Sequence, residues 1–312
     1  MSRKGRRSGA KRSRTPWVIL SLVVVLAVVA YFIFTQSGID AACPSCGKPA
    51  SPVVLSQLAG VSTATLNAVG AGPTNPTTAI TGTPLVLNGK PEVLYMGAEY
   101  CPYCAAERWS MIVALDKFGT FTGLEYTASS PTDTLPNTPT FTFRNASFTS
   151  GLITFVSVEQ TDRNHNPLQT ATPDQTALLN QYDSSGNIPF IDFGNAYSVV
   201  GAQYSPAVLR VGGGATAAPY NWTQISAQLD NSTSPIAQSV DGVANRIITA
   251  ICKIDGGQPS SVCSQSFAQV VSYAKNPLSG GPQLLISDLV QRGASSSHAF
   301  SRFETNRLFA RV

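Results

Sequence analysis

Charge is scarce in this chain. Asp, Glu, Lys and Arg make up only 12% of its 312 residues, about half the usual share. That excludes a charge-rich disordered protein and a chain organised around a nucleic-acid-binding tail. Acid is missing from the N-terminal end, where Asp40 is the first carboxylate. Histidine is nearly absent. His165 and His298 are the only two, and neither lies near a cysteine motif, so a Cys–His hydrolase has little support. No fixed-period repeat is present. Gly212-Gly213-Gly214 lacks the strand–helix transition and the following Lys-Ser/Thr of a phosphate cradle. Long apolar runs are limited to one, which excludes a polytopic membrane protein.

What fills the chain is neutral and polar. Gly (25) and Pro (21), with many Ser, Thr, Asn and Gln, suit an exported, loop-rich domain. The formal charge of +4 is unevenly placed. Seven of the 21 basic residues, Arg3, Lys4, Arg6, Arg7, Lys11, Arg12 and Arg14, precede a remainder with 14 basic and 17 acidic residues, 14 − 17 = −3. The basic character is therefore topological and does not mark a nucleic-acid surface.

The single apolar run is Trp17 to Phe34, WVILSLVVVLAVVAYFIF. At about 1.5 Å per residue it spans roughly one hydrocarbon core. Trp17 and Tyr31 sit near its ends, where amphipathic rings favour the interface. The basic flank predicts a single-pass anchor in the cell membrane, with a cytoplasmic N-terminus and everything after Thr35 outside. The alternative is a cleaved signal peptide. The run exceeds a typical h-region, and Asp40 stands where a small residue is wanted before Ala41-Ala42.

The expected organisation is a basic cytoplasmic tail over 1–15, a transmembrane helix over 16–34, and an extracytoplasmic tether over 35–84. The main domain covers 85–275 and a C-terminal tail 276–312. In the tether, Ser51-Pro52 starts a short helix with Leu55, Leu58, Leu66 and Val69 as its apolar face, and 70–84 reads as an extended linker. Strands are expected over Glu92–Ala98, Leu124–Ala128, Thr138–Phe143 and Leu152–Val158. Asn187–Phe193 and Tyr197–Val200 form a further pair around Gly194-Asn195. Helices are expected over Ala105–Phe118, Pro173–Tyr182, Trp222–Leu229, Pro235–Ile251 and Cys263–Lys275. This order predicts an α/β or α+β sheet covered by helices.

Six cysteines fall into three pairs. Cys101-Pro102-Tyr103-Cys104 follows a strand and opens a helix. There, unpaired N–H groups favour a thiolate on the first cysteine, and the second lies one turn on to resolve a mixed disulfide. Pro102 supplies no N–H and fits a helix start. A structural pair is the competing reading. Cys252 and Cys263 read as a structural disulfide across a helix hairpin. Cys43-Pro-Ser-Cys46 stays open between a local disulfide, a second redox pair, a zinc half-site and an unassigned tether.

The segment VLYMGAEYCPYCAAERW resembles the active-site strand and helix of the thioredoxin superfamily, with the CPYC of glutaredoxins and the spacing of DsbA-like proteins. Ile188-Pro189 resembles that superfamily's cis-proline, which faces the dithiol. The long stretch from Cys104 to Pro189 implies an insertion. The basic start, the anchor, LAGVS…TLNAVGAG, GAEYCPYCAAERW and IDFGNAY…GAQYSP are more closely similar to an uncharacterised family of membrane-anchored thioredoxin-like proteins from actinobacteria and archaea. That likeness covers most of 50–275. It implies a thioredoxin-like α/β fold with inserted and C-terminal helices after one transmembrane helix. The superfamily often has a buried acid six residues before the nucleophile, where this chain has Tyr95. Glu99 and Glu107 are the nearby acids that could substitute, although solvated charge is the plainer role for both.

The reading is a membrane-anchored extracytoplasmic thiol–disulfide oxidoreductase. It would act on exported protein thiols and disulfides through Cys101, Cys104 and Pro189, with Pro102, Tyr103, Glu99 and Glu107 in support. It needs no cofactor, no metal and no nucleic acid. The position of Cys43/Cys46 just past the anchor would suit a membrane redox partner. The rival is a non-enzymatic binding or scaffold module that keeps the fold and a structural CxxC.

Overall fold

The computed structural model describes residues 23–27 and 43–269. The expected cytoplasmic tail, most of Trp17–Phe34 and the expected C-terminal tail lie outside the described residues. Residues 23–27 are helical, with Val23, Val24, Val25 and Leu26 exposed. Among the described residues no single helix is long and apolar enough to cross a membrane.

The architecture is mixed α/β, with a mixed sheet built around one strand, β3 (Lys90–Gly97). β8 (Thr154–Glu159) runs parallel to it in register from Glu92↔Thr154 to Gly97↔Glu159. β9 (Phe190–Phe193) pairs antiparallel with it, from Val93↔Phe193 to Met96↔Phe190. β10 (Tyr197–Val200) pairs with β9, and β1 (Thr78–Ala79) closes that edge on β10. β2 (Val86–Leu87) makes a short hairpin with the start of β3. Two small antiparallel pairs stand apart: β4 (Thr120–Thr122) with β7 (Ser147–Thr149), and β5 (Glu125–Ala128) with β6 (Pro139–Thr142). The turn between β9 and β10 has positive φ at both Gly194 (60°) and Asn195 (57°). The connection is three residues, 194–196, and two successive positive φ values need residues such as Gly and Asn, which explains why the turn was legible.

A continuous apolar strand is expected where both faces are covered. β3 meets that expectation. Val93 and Tyr95 join the large core on one face, while Leu94 and Met96 join a smaller cluster with Val158, Leu179 and Phe190 on the other. Leu179 belongs to α4 (Pro173–Tyr182), whose Thr172 and Gln175 form a reciprocal capping box. The large core holds α3 (Pro102–Leu115) and α6 (Pro235–Ile254), which pack closely on each other. Ile236, Val240, Val243, Ile247, Ile248 and Ile251 of α6 are all buried and recur at helical spacing. Gly242 is required on this helix. A Cβ there would lie 2.7 Å from the Ala71 carbonyl oxygen.

Three expectations are corrected. The short helix after Ser51-Pro52 is two helices, α1 (Pro52–Ala59) and α2 (Thr63–Val69), capped by Ser51 and Ser62. Their Val54, Leu58 and Leu66, with Val61 between, are part of the large core. Residues 43–70 are thus packed into the body and do not form a loose tether. Thr78–Ala79 of the expected linker is a strand, because its backbone closes the edge of β10. Beyond α5 (Trp222–Ser226) and α6, Cys263 ends the one-turn helix α7 (Ser260–Cys263) and does not begin a long one. Ser266–Gln269 is a 3-10 turn.

Candidate active site

Cys101 is the N-cap of α3. Its extended backbone (φ −76°, ψ 120°) leaves the helix, and its sulfur accepts from the Cys104 N–H at 3.2 Å. Pro102 occupies the first helical position, where a missing N–H costs nothing. The loop from β3 into α3 is pinned by two backbone bonds, Glu99 N–H to Thr161 O at 2.8 Å and Ser130 N–H to Tyr100 O at 2.8 Å. From the other side, the peptide Ile188–Pro189 is cis, and the Cys101 thiol lies 3.9 Å from the Ile188 carbonyl oxygen. The structure therefore brings Cys101, Cys104 and Pro189 together. Along α3 every residue is buried except Tyr103, which is 46% exposed beside the dithiol.

The two thiols are electrostatically unlike. Cys101 is lowered, chiefly by its hydrogen bond with Cys104; burial opposes this, and the Cys104 N–H and the Arg108 charge assist. Cys104 is raised well above the ordinary thiol range by burial and by Cys101. Both are unpaired. Cys101 is 5% exposed and Cys104 fully buried. The arrangement favours a thiolate on the first cysteine and a protonated second one.

Arg108 follows Cys104 by one turn and is completely buried. Its guanidinium meets Glu159 of β8 in a two-pronged ion pair, Nε to Oε1 at 2.8 Å and Nη2 to Oε2 at 2.6 Å. Nη2 also donates to the Ala98 carbonyl at 2.8 Å. Burial alone would lower the Arg108 pKa. Glu159 more than offsets it, so the cation persists behind the dithiol. Arg108 also lies over the Tyr95 ring, 5.6 Å from its centroid. Tyr95 is buried with no hydrogen-bond partner for its hydroxyl among the described residues, and burial raises that hydroxyl further. Gly97 leaves room for it, since a Cβ there would sit 2.2 Å from the Tyr95 oxygen.

Sequence reasoning missed Arg108 and Glu159. The signal was present: each is a charge at the end or middle of an otherwise apolar buried run, AAERWSMIVAL and LITFVSVE. Glu99 and Glu107 are not solvated charges. Glu99 is buried, and burial raises its carboxyl, with Thr127 donating at 3.4 Å. Glu107 is fully buried on α3, accepts from the Gln203 N–H at 3.1 Å, and is pushed up to about 8 by burial. His165, distant in sequence, places its ring 4.4 Å from that of Tyr100, the neighbour of Cys101, at a tilt of 34°.

The other four cysteines are bonded. Cys43–Cys46 and Cys252–Cys263 are disulfides with Cα–Cα distances of 5.4 and 5.5 Å. This places the expected staple between α6 and α7, and it removes the Cys43/Cys46 sulfurs from a zinc half-site.

Residues 77–253, more than half of the chain, match the model of a protein family described as a domain of unknown function, DUF929. The chain belongs to that family. No curated protein and no solved structure gives a match. The matched region of the DUF929 chain contains the dithiol, Arg108, Glu159 and Pro189. Cys43, Cys46 and Cys263 fall outside it.

Proposed function

We propose that this DUF929 chain is a membrane-anchored, extracytoplasmic thiol–disulfide oxidoreductase that acts on exported proteins, with a thioredoxin-like fold. The observation that carries the reading is the contrast within one site. Cys101 is an acidified thiol capping a helix, Cys104 is a buried protonated thiol one turn on, and the cis Ile188–Pro189 peptide faces them. Two disulfides elsewhere in the chain support an oxidising compartment. The helix-opening dithiol after the central strand, opposed by a cis-proline, supports the thioredoxin-like reading.

In the reducing direction the Cys101 thiolate attacks one sulfur of a substrate disulfide. The substrate bond breaks, its other sulfur leaves as a thiolate and is protonated, and a Cys101–substrate disulfide forms. Cys104 loses its proton and attacks the Cys101 sulfur. The second substrate thiol is released, and Cys101–Cys104 closes with two electrons passed to the substrate. The oxidising direction is the reverse. The buried Arg108 cation stabilises the anion at either sulfur.

One observation favours the scaffold reading: both thiols are almost inaccessible. The experiment that separates the two is alkylation of the reduced full chain at neutral pH, with peptide mapping. Selective, rapid labelling of Cys101, together with turnover of a disulfide-bonded protein substrate, is the expected result. A Cys101 that resists labelling in the folded chain would replace the oxidoreductase with a binding module.

A further inference from the structure

The Cys43–Cys46 disulfide is left unused by the reaction above, and it is a poor staple. It encloses two residues, the shortest loop a CxxC can close, so it constrains the unfolded chain far less than the separation of 11 between Cys252 and Cys263. The turn it bridges already holds itself, with the Cys46 N–H bonded to the Cys43 carbonyl at 3.1 Å and the Lys48 N–H to the Ser45 carbonyl at 3.1 Å. The segment is then bound to β5 and to Leu124 just before it by three backbone bonds: Gly47 N–H to Tyr126 O (2.8 Å), Tyr126 N–H to Lys48 O (2.9 Å) and Ala50 N–H to Leu124 O (2.9 Å). Removing the S–S bond would leave all of these in place.

The two sulfurs also have different surroundings. Cys43 is buried and lines a groove with Tyr220 and Trp222. Cys46 is only partly buried and lines a separate polar groove of about 290 Å³ with Glu99, Glu125, Arg144 and Asp162. Glu99 is two residues from Cys101, so this groove reaches the loop that carries the dithiol.

We propose that Cys43–Cys46 is a second redox centre, opened by a dithiol donor that enters the polar groove and attacks Cys46. The donor thiolate bonds to the Cys46 sulfur, the Cys43–Cys46 bond breaks, and Cys43 leaves as a thiolate. The donor's second thiolate then attacks the donor sulfur of the mixed disulfide and expels Cys46. The donor departs as a disulfide, two electrons remain on the Cys43/Cys46 pair, and the two protons lost by the donor end on the Cys43 and Cys46 sulfurs.

The test is a titration of the full chain with dithiothreitol, each cysteine being followed by differential alkylation and mass mapping. Cys43–Cys46 is expected to open at a donor concentration at least tenfold below that which opens Cys252–Cys263, in a chain that stays folded. The Cys101→Ser/Cys104→Ser double variant should behave identically, so this result stands or falls apart from the first dithiol. Single variants locate the attacked atom. Cys43→Ser should form a mixed disulfide with oxidised glutathione through Cys46, whereas Cys46→Ser should not through the buried Cys43. If Cys43–Cys46 opens only together with Cys252–Cys263 or only on unfolding, it is structural. Equal capture by the two single variants overturns the assignment of Cys46.

Discussion

Arg108 and Glu159 form a two-pronged ion pair sealed from solvent, 2.8 and 2.6 Å long, one helical turn beyond Cys104. Two consequences follow from its burial. An unpaired charge in that place is expensive, so Arg108→Met should cost about 3–5 kcal/mol of stability by stranding Glu159. The cation also assists the Cys101 thiolate, so the same variant should raise the Cys101 pKa. Arg108→Lys separates the effects: it keeps a charge without the fork and should recover thiol acidity better than stability. Denaturant midpoints and the pH profile of Cys101 alkylation give the two readouts. An unchanged alkylation profile in Arg108→Met would confine the pair to a structural role.

The unequal thiols predict an unequal pair of variants. Cys104→Ser removes the resolving thiol and should accumulate mixed disulfides between Cys101 and exported proteins, seen as reducible high-mass species. Cys101→Ser should accumulate none, because Cys104 is fully buried and its thiol is raised. Trapping through Cys104 in the absence of Cys101 would reverse the assigned roles.

Elements whose signal is local were legible in sequence. α4 (Pro173–Tyr182) and β10 (Tyr197–Val200) have the expected bounds, and Ser234 caps α6 through a bond from the Ile236 N–H at 3.2 Å. The dithiol was legible because CPYC is a contiguous motif. What could not be read was long-range pairing. Nothing in LITFVSVE says that Glu159 will meet a guanidinium from a helix 51 residues earlier. Nothing in TTAITG says that two residues will close the edge of a strand far along the chain. The fate of the acids was misjudged for the same reason. Glu107 was expected to be a solvated charge, but every residue of α3 except Tyr103 is buried and the Gln203 backbone N–H reaches across to its carboxylate.

The Cys252–Cys263 disulfide ties the last turn of α6 to α7. Replacing both residues with Ser should lower stability by about 2–3 kcal/mol in the chain-entropy picture. Exchange activity measured below the melting transition should be retained. Finding both thiols free in the oxidised native chain, or losing activity without losing stability, would contradict a purely structural bond.

Several carboxyls are wholly or largely withdrawn from water, and this contributes to the pH dependence of folding. Glu107 and Asp241 are each pushed up to about 8 by burial, and Asp116 and Asp192 to about 7. Neither oxygen of Asp241 and only one of Glu107 has a hydrogen-bond partner among the described residues. Lys117 draws the Asp241 carboxyl down, but burial prevails. The sign follows from proton counting. In the unfolded chain these groups ionise near pH 4, whereas folded they keep their protons to about 7–8. The folded state therefore binds more protons across that window, and stability must fall as pH rises through it. Below about pH 4 the contribution is complete, and above the folded pKa values it is lost. Guanidinium midpoints taken from pH 4 to 9 should decline towards the alkaline end, with Glu107→Gln and Asp241→Asn each flattening the decline. A stability maximum at neutral pH, or a profile unmoved by both substitutions, would mean that these carboxyls are ionised and partnered in the folded chain.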